Sequence, residues 1–261
     1  MPPFCNRLLR VACSLWDRSR PLWISNWAAR LRWHRSTTYC IDTTGESLPQ
    51  TSAIRKVTQW LRMSGKKLPE TLTEIRQRWA QGQSIKLMFQ DEARFGRIAD
   101  VRRCWAPKPI RPLCQGMLTH EYTYVFGAVD ACTGEFDSLI LPQVNTQCMQ
   151  LFLNEVSSRH PDEKIVMVID GAGWHRSDEL KAPANIYLLT LPPYAPELNP
   201  IEHVWDELRE KFFHNRVFES LDALEDHLTL ALKTLEGDPN RVESIVSWPW
   251  IISALLISLM N

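Results

Sequence analysis

Between residues 84 and 141 the apolar positions fall in short runs bounded by turn residues, a pattern that predicts strands. The expected strands are Ile85–Phe89, a stretch around Cys104 and Trp105 bounded by Pro107 and Pro109, Tyr122–Val129 and Phe136–Leu141. The last two are joined through Asp130 to Gly134, where glycine supplies the positive φ that a tight turn needs, so they form an antiparallel meander. From Thr146 the period changes: Met149, Phe152, Leu153 and Val156 share one face of a helix ending near Arg159. Strand and helix then alternate, with a strand at Lys164–Ile169, a short helix near Ser177 to Lys181, a strand at Ile186–Leu191 and a helix at Pro200–Phe213. The apolar stripe of that last helix is Ile201, Val204, Trp205, Leu208 and Phe212. The segment from Trp248 to Met260, 13 residues interrupted by Pro249 and two serines, is too short to span a bilayer and predicts a buried terminal helix.

Continuous apolar strands alternating with helices imply a central sheet covered on both faces. An antiparallel meander feeding into a β/α half gives an α/β fold, a ribonuclease-H-like mixed sheet flanked by helices. Upstream, Ser52 to Leu68 is basic with Ile54, Val57, Trp60 and Leu61 at helical spacing; Pro69 then separates it from a second helical pattern through Leu72, Ile75 and Trp79, ended by Gly82. Residues 1–50 carry Trp and Arg in quantity with little periodicity and receive no fold. The expected organisation is therefore an unassigned segment at 1–50, a small basic helical segment at 51–80, and a catalytic domain at 81–261.

Charge sharpens this division. The net charge is zero, yet residues 1–80 hold 14 Lys and Arg against 5 Asp and Glu, whereas residues 81–261 hold 16 against 25. A basic arm beside an acidic body suits a polyanionic partner for the arm. The seven cysteines are scattered without a Cys-x-x-Cys pair, as in a reduced cytosolic protein, and no zinc module is spelled out. Arg7 and Arg10 interrupt the N-terminal apolar stretch, which argues against a signal peptide.

Three acids stand at the mouths of predicted elements: Asp91 after Leu87, Met88 and Phe89, Asp170 after Ile165 to Ile169, and Glu202 in the first turn of the Pro200–Phe213 helix. Strand ends and a helix start can converge although 78 and 31 residues intervene. Such carboxylates would hold Mg²⁺ or Mn²⁺, hard cations that prefer oxygen. Two ions about 4 Å apart serve in-line phosphodiester displacement. Alternatives stand beside two of the three. Asp91 is followed by Glu92, which strand alternation points to the opposite face, and Glu197 rivals Glu202. Asn199-Pro200-Ile201-Glu202 is also a good helix start, with Asn as N-cap and Glu closing a capping box, although Glu202 borders the core at about 90° from the stripe's centre. Near Asp91 lies a basic set, Arg94, Arg97, Arg102, Arg103, Lys108 and Arg111, suited to neutralising DNA phosphates, and His203 neighbours Glu202.

Five strings then combine: Phe89-Gln-Asp-Glu-Ala-Arg-Phe-Gly96, Arg103-Cys-Trp-Ala-Pro107, Tyr122-Thr-Tyr-Val-Phe-Gly127, Val168-Ile-Asp-Gly-Ala-Gly-Trp-His175 and Leu191-Pro-Pro-Tyr-Ala-Pro-Glu-Leu-Asn-Pro-Ile-Glu-His-Val-Trp205. Together they resemble the transposases of bacterial insertion sequences in the mariner-like superfamily, the IS-six-thirty type, from about Leu87 to Trp250. The resemblance implies a DDE catalytic core with Asp91, Asp170 and Glu202 as its triad, preferring Asp91 over Glu92 and Glu202 over Glu197. It implies a cofactor of Mg²⁺ or Mn²⁺, two ions, and as partners DNA at terminal inverted repeats and a target DNA, with a homodimer on the DNA ends. It implies hydrolysis followed by attack of the exposed 3′-hydroxyl on a target, and a cytoplasmic, nucleoid-associated bacterial protein. Relatives carry helix-turn-helix units ahead of the core, which residues 1–50 do not resemble, and the spacing from Asp170 to Glu202 is short beside eukaryotic mariner relatives. The expectation is the catalytic half of a split or frame-disrupted element; the alternative is a degenerate product that binds DNA without transposing.

Overall fold

The computed structural model describes residues 67–97, 106–110, 121–171, 179–191 and 198–260. The chain divides into two units, Met1–Met63 and Ser64–Asn261, and every described residue belongs to the second. At its centre is a five-stranded sheet: β1 (Ile85–Gly96), β2 (Tyr122–Asp130), β3 (Phe136–Leu141), β4 (Lys164–Ile169) and β5 (Ile186–Thr190), in the order β3-β2-β1-β4-β5. The pairs β1–β2 and β2–β3 are antiparallel, while β4 runs parallel to both β1 and β5. This is the expected ribonuclease-H-like plan: a meander on one side, a parallel half on the other, and β1 shared between them. Gly134, at φ 70°, makes the β2–β3 turn, and Asp130 braces it by accepting from Cys132 N at 2.8 Å and from the Thr133 hydroxyl at 2.9 Å.

Strand alternation gives the sheet two faces. Met88, Phe126, Ala128, Ile165, Met167, Ile169 and Ile186 pack against Cys148, Met149, Phe152, Leu153 and Val156 of helix α2 (Thr146–Arg159). Each such fully buried side chain contributes roughly 1.5–3 kcal/mol relative to exposure. The other face carries the remaining helices: α1 at residues 67–78, α3 (Ile201–Leu208) continuing into a π-helical turn (Arg209–Phe213), α4 (Leu221–Glu236), α5 (Pro239–Val246) and α6 (Pro249–Met260). Trp79, just past α1, meets Tyr187 of β5 at 5.6 Å between ring centroids, and Lys164 of β4 lies over the Trp79 ring.

Several predicted boundaries shift, each for a local reason. Strand β1 continues to Gly96 instead of stopping at Phe89, because its polar residues Gln90 to Arg94 are paired across β2 from Ala128 to Tyr124. Pro69 lies inside α1 rather than between two helices. Residues 179–181 are turn and irregular chain rather than helix, as suits a segment running into Pro183. The rest of the predicted short helix lies outside the described residues, as does the predicted strand around Cys104 and Trp105.

The helix expected over Pro200–Phe213 is regular only to Leu208. Its π turn inserts an extra residue per turn, so Phe213 rather than the expected Phe212 continues the buried stripe. Phe213 packs against Phe95 at 4.9 Å, His227 at 5.1 Å and Phe218 at 5.9 Å. The terminal helix is as expected, with Ile251, Ile252, Ala254 and Leu255 buried. Among the described residues no single helix is long and apolar enough to cross a membrane; α5 and α6 pass that test only as a pair, bent by 96°.

Candidate active site

The register of the parallel pair places the two aspartates. Phe89 on β1 is the partner of Val168 on β4, so two residues further along each strand come Asp91 and Asp170, side by side on one face. Neighbouring strands lie about 4.8 Å apart. Asp170 follows the last residue of β4, whereas Asp91 sits within β1, where its partner on β2 is Gly127. Both are half-buried.

The third acid comes from the helix above. Trp205, one turn beyond Glu202 in α3, donates from Nε1 to Asp91 Oδ2 at 3.0 Å, which puts Asp91 on the face that α3 covers. The start of α3 is tied down beside it: the Asn199 amide donates to Gln90 O at 2.9 Å, and its Oδ1 accepts from Ile201 N at 3.4 Å. Pro200 already has helical angles, φ −65° and ψ −20°. The expected capping box is replaced by this tie, since the Asn199 side chain reaches across to β1 and no side-chain cap bond forms at Pro200.

The electrostatics link the acids in sequence, although their ligand atoms do not all lie within 4.8 Å of one another. Burial first, then the charge of Glu202 and that of Glu92, push the Asp91 carboxyl up to about 8, against the opposing bonds from the Glu92 backbone N–H and the Trp205 indole. Glu202 is also raised: burial is the main cause, Arg209 opposes it, and Asp206 and Asp170 add to it. Asp91 thus feels Glu202, and Glu202 feels Asp170. Carboxyl groups raised by burial and by neighbouring acids are groups that a bound cation would relieve. Oxygen-only donors fit a hard divalent ion such as Mg²⁺ or Mn²⁺.

The expected basic residues fall in different settings. Arg94 is exposed on β1, its guanidinium 5.2 Å from the centre of the Tyr122 ring. Arg97 is bound within the protein: it pairs with Glu121, donates from Nε to Phe218 O at 3.0 Å, donates from Nη2 to Glu219 O, and its side chain is 11% exposed. Lys108 is exposed in a turn. His203 is exposed on α3, its ring 5.1 Å from that of Trp248. Arg102, Arg103, Arg111 and Glu197 lie outside the described residues.

Sequence reasoning placed Trp205 in the apolar stripe and missed its second role as the donor to Asp91. The available signal was its position three residues after Glu202, which puts both side chains on adjoining parts of the helix. Gly127 was missed too. A Cβ there would come within 2.5 Å of Trp205 Cη2, so the absence of a side chain opposite Asp91 is what lets the indole lie down on β2. Its signal was a glycine inside an otherwise bulky strand. Arg209, seven residues after Glu202, acts on that carboxylate and stacks over Phe95 at 5.5 Å.

Comparison with known proteins follows the same lines. An uncharacterised protein of Sinorhizobium fredii (strain NBRC 101917 / NGR234), y4pE/y4sA, is 38% identical over 130 residues, 49% of this chain and 96% of that protein. The Mos1 mariner paired-end complex with Mn is 14% identical with a TM-score of 0.51, over 88% of this chain and 70% of that one, a likeness of fold. A pre-cleavage Mos1 transpososome is 14% identical with a TM-score of 0.48, over 85% and 70% of the two chains. The model of the DDE superfamily endonuclease family matches residues 86–225, a span that begins on β1 and takes in Asp91, Asp170 and Glu202, and the chain belongs to that family.

Proposed function

We propose that this DDE superfamily endonuclease is a DNA transposase, which cuts at the terminal inverted repeats of a mobile element and joins the freed 3′-hydroxyls to a target DNA. Asp91, Asp170 and Glu202 are its catalytic acids and would hold Mg²⁺ or Mn²⁺, two ions in the working complex. When bound, the metal lowers the pKa of the attacking oxygen and stabilises the leaving one. The protein's own contribution is placement: β1 and β4 fix two carboxylates as strand neighbours, and α3 brings the third over them from the same side. The observation that carries the reading is the register: Asp91 and Asp170 each stand two residues past the paired Phe89 and Val168, on the face where Trp205 of the helix bearing Glu202 donates to Asp91.

The DNA lies across this face. Lys108, Arg102, Arg103 and His203 contact its phosphates, while Arg94, three residues past Asp91 on β1, lies on the sheet's opposite face, and Arg97 keeps its internal partners and holds the end of β1. The basic segment 51–80 adds sequence-independent affinity for the duplex, the domain 81–261 performs the chemistry, and two copies act on a pair of ends. The work is done where the chromosome is, in the bacterial cytoplasm at the nucleoid.

The test uses the purified full chain with DNA carrying the inverted repeats of its element. Cleavage in Mg²⁺ or Mn²⁺ that disappears in Asp91→Asn is expected. Uncut DNA with the unaltered protein, under conditions where a longer relative cuts, would overturn the reading.

A further inference from the structure

We infer that Trp205 is a positioning residue for Asp91, and that Gly127 is the socket that makes this possible. The inference rests on the proposed role of Asp91 and Glu202 as metal-binding acids. The indole is 1% exposed, its Nε1 lies 3.0 Å from Asp91 Oδ2, and its outer ring lies against Gly127, the residue of β2 paired with Asp91. Phe136 of β3 closes the third side, edge-on at 6.0 Å. An indole N–H buried this deeply needs an acceptor, and here it takes one of the two oxygens of a catalytic acid. Packing on three sides leaves the ring without room to rotate, so the donor stays where the carboxylate must be.

The same bond sets the spacing between the first and third acids. Trp205 and Glu202 belong to one rigid turn of α3, so the indole bond and the Asn199 bond to Gln90 O fix that turn to β1 on both sides of Glu202. Neither tie requires an ion. The turn that carries Glu202 is therefore held to β1 without metal or DNA, and it cannot slide or rotate without releasing Asp91.

Outer partners of metal ligands typically matter about 10- to 100-fold in metal affinity or activity. The decisive variant replaces Trp205 with 3-benzothienylalanine, which keeps the two-ring shape and exchanges the N–H for sulfur. Two further variants are Trp205→Phe, which loses the donor and part of the ring, and Gly127→Ala, which keeps the donor and displaces the ring. Each is titrated with MnCl₂ alone, with no DNA present, by calorimetry and by the paramagnetic resonance of free Mn²⁺. All three should bind Mn²⁺ about tenfold more weakly than the unaltered protein. Phe152→Leu, which loosens the core on the opposite face of the sheet, should lower the melting temperature and leave Mn²⁺ affinity unchanged.

If the benzothienylalanine protein binds Mn²⁺ within twofold of the unaltered one, while Asp91→Asn abolishes binding, Trp205 is packing only and the inference fails by itself. If the unaltered protein binds no Mn²⁺, the proposed metal site fails and the inference falls with it. Should Trp205→Phe not fold, the shape-preserving variant still decides.

Discussion

The two ends of the same sheet handle buried charge in opposite ways. At the end away from the proposed catalytic acids, Lys86 of β1 reaches Glu135 and Glu163 at 2.5 Å each, His160 bonds Asp137 and Glu163 at 2.8 Å each, and Arg159 reaches Asp137 at 3.1 Å. Every charge there has a partner of the other sign. Burial pushes Lys86 down, but its bonds to Glu135 and Glu163 outweigh it and hold the ammonium charged. His160 is likewise raised, chiefly by its bond to Asp137. At the other end burial, then Glu202 and Glu92, raise Asp91, while burial, Asp206 and Asp170 raise Glu202 against the opposing charge of Arg209. Glu135, His160 and Glu163 lie close enough together to hold a metal, yet the Lys86 ammonium already stands between the two glutamates. On the proposed reading the two ends, both acidic and partly buried, differ in what completes them: internal cations at one and a bound metal at the other.

The largest expected effect falls on the proposed metal site. Asp91→Asn, Asp170→Asn or Glu202→Gln should each lower DNA cleavage by roughly a thousandfold or more, the several kcal/mol that a bound cation supplies to the transition state. A gel assay of end cleavage measures this. The compensated end should answer in stability instead: Asp137→Ala strips His160 and Arg159 of a buried partner and should cost about 3 kcal/mol in urea unfolding. Mn²⁺ affinity should stay unchanged in that variant.

Acidity sharpens the contrast further. A carboxyl raised from 3.8 to about 8 on folding keeps its proton in the folded chain and loses it in the unfolded one, so metal-free stability falls as pH rises across that window. His160, also raised, contributes stability that is complete below its unfolded value of 6.5 and is lost as pH climbs through the higher folded value. Both ends therefore weaken toward alkaline pH, one by gaining an unwanted charge and the other by losing a wanted one. Asp91→Asn should flatten the first component, and saturating Mn²⁺ should reverse it while leaving the His160 component in place. Melting temperature against pH, with and without Mn²⁺, separates the two. The smallest effect belongs to the exposed pair of Arg159 and Glu155 within α2: Glu155→Ala should change stability by no more than about 0.5 kcal/mol.

The meander, α2 and β4 were legible because their apolar periods are long and uninterrupted, and Phe136–Leu141, Thr146–Arg159 and Lys164–Ile169 end where the pattern ends. The extension of β1 was not, because Gln90, Asp91, Glu92 and Arg94 read as polar loop until a partner strand is known to receive their backbone. Element ends made the three acids candidates, and only the resemblance preferred Asp91 over Glu92 and Glu202 over Glu197. Their neighbourhood could not: the Trp205 bond joins residues 114 apart, and the Asn199 bond residues 109 apart. No local pattern encodes such pairs. The α3 stripe failed at its last member for a related reason, since a 3.6-residue period cannot anticipate a turn that holds one residue more.

That wider turn gives chain length its own importance between Leu208 and Phe213. Removing one residue between Arg209 and Phe213 would let ordinary winding resume with Phe213 still in the stripe position, facing Phe95, Phe218 and His227. A one-residue deletion here should therefore be tolerated better than one between Ile201 and Leu208, where it would rotate every side chain that follows by about 100°.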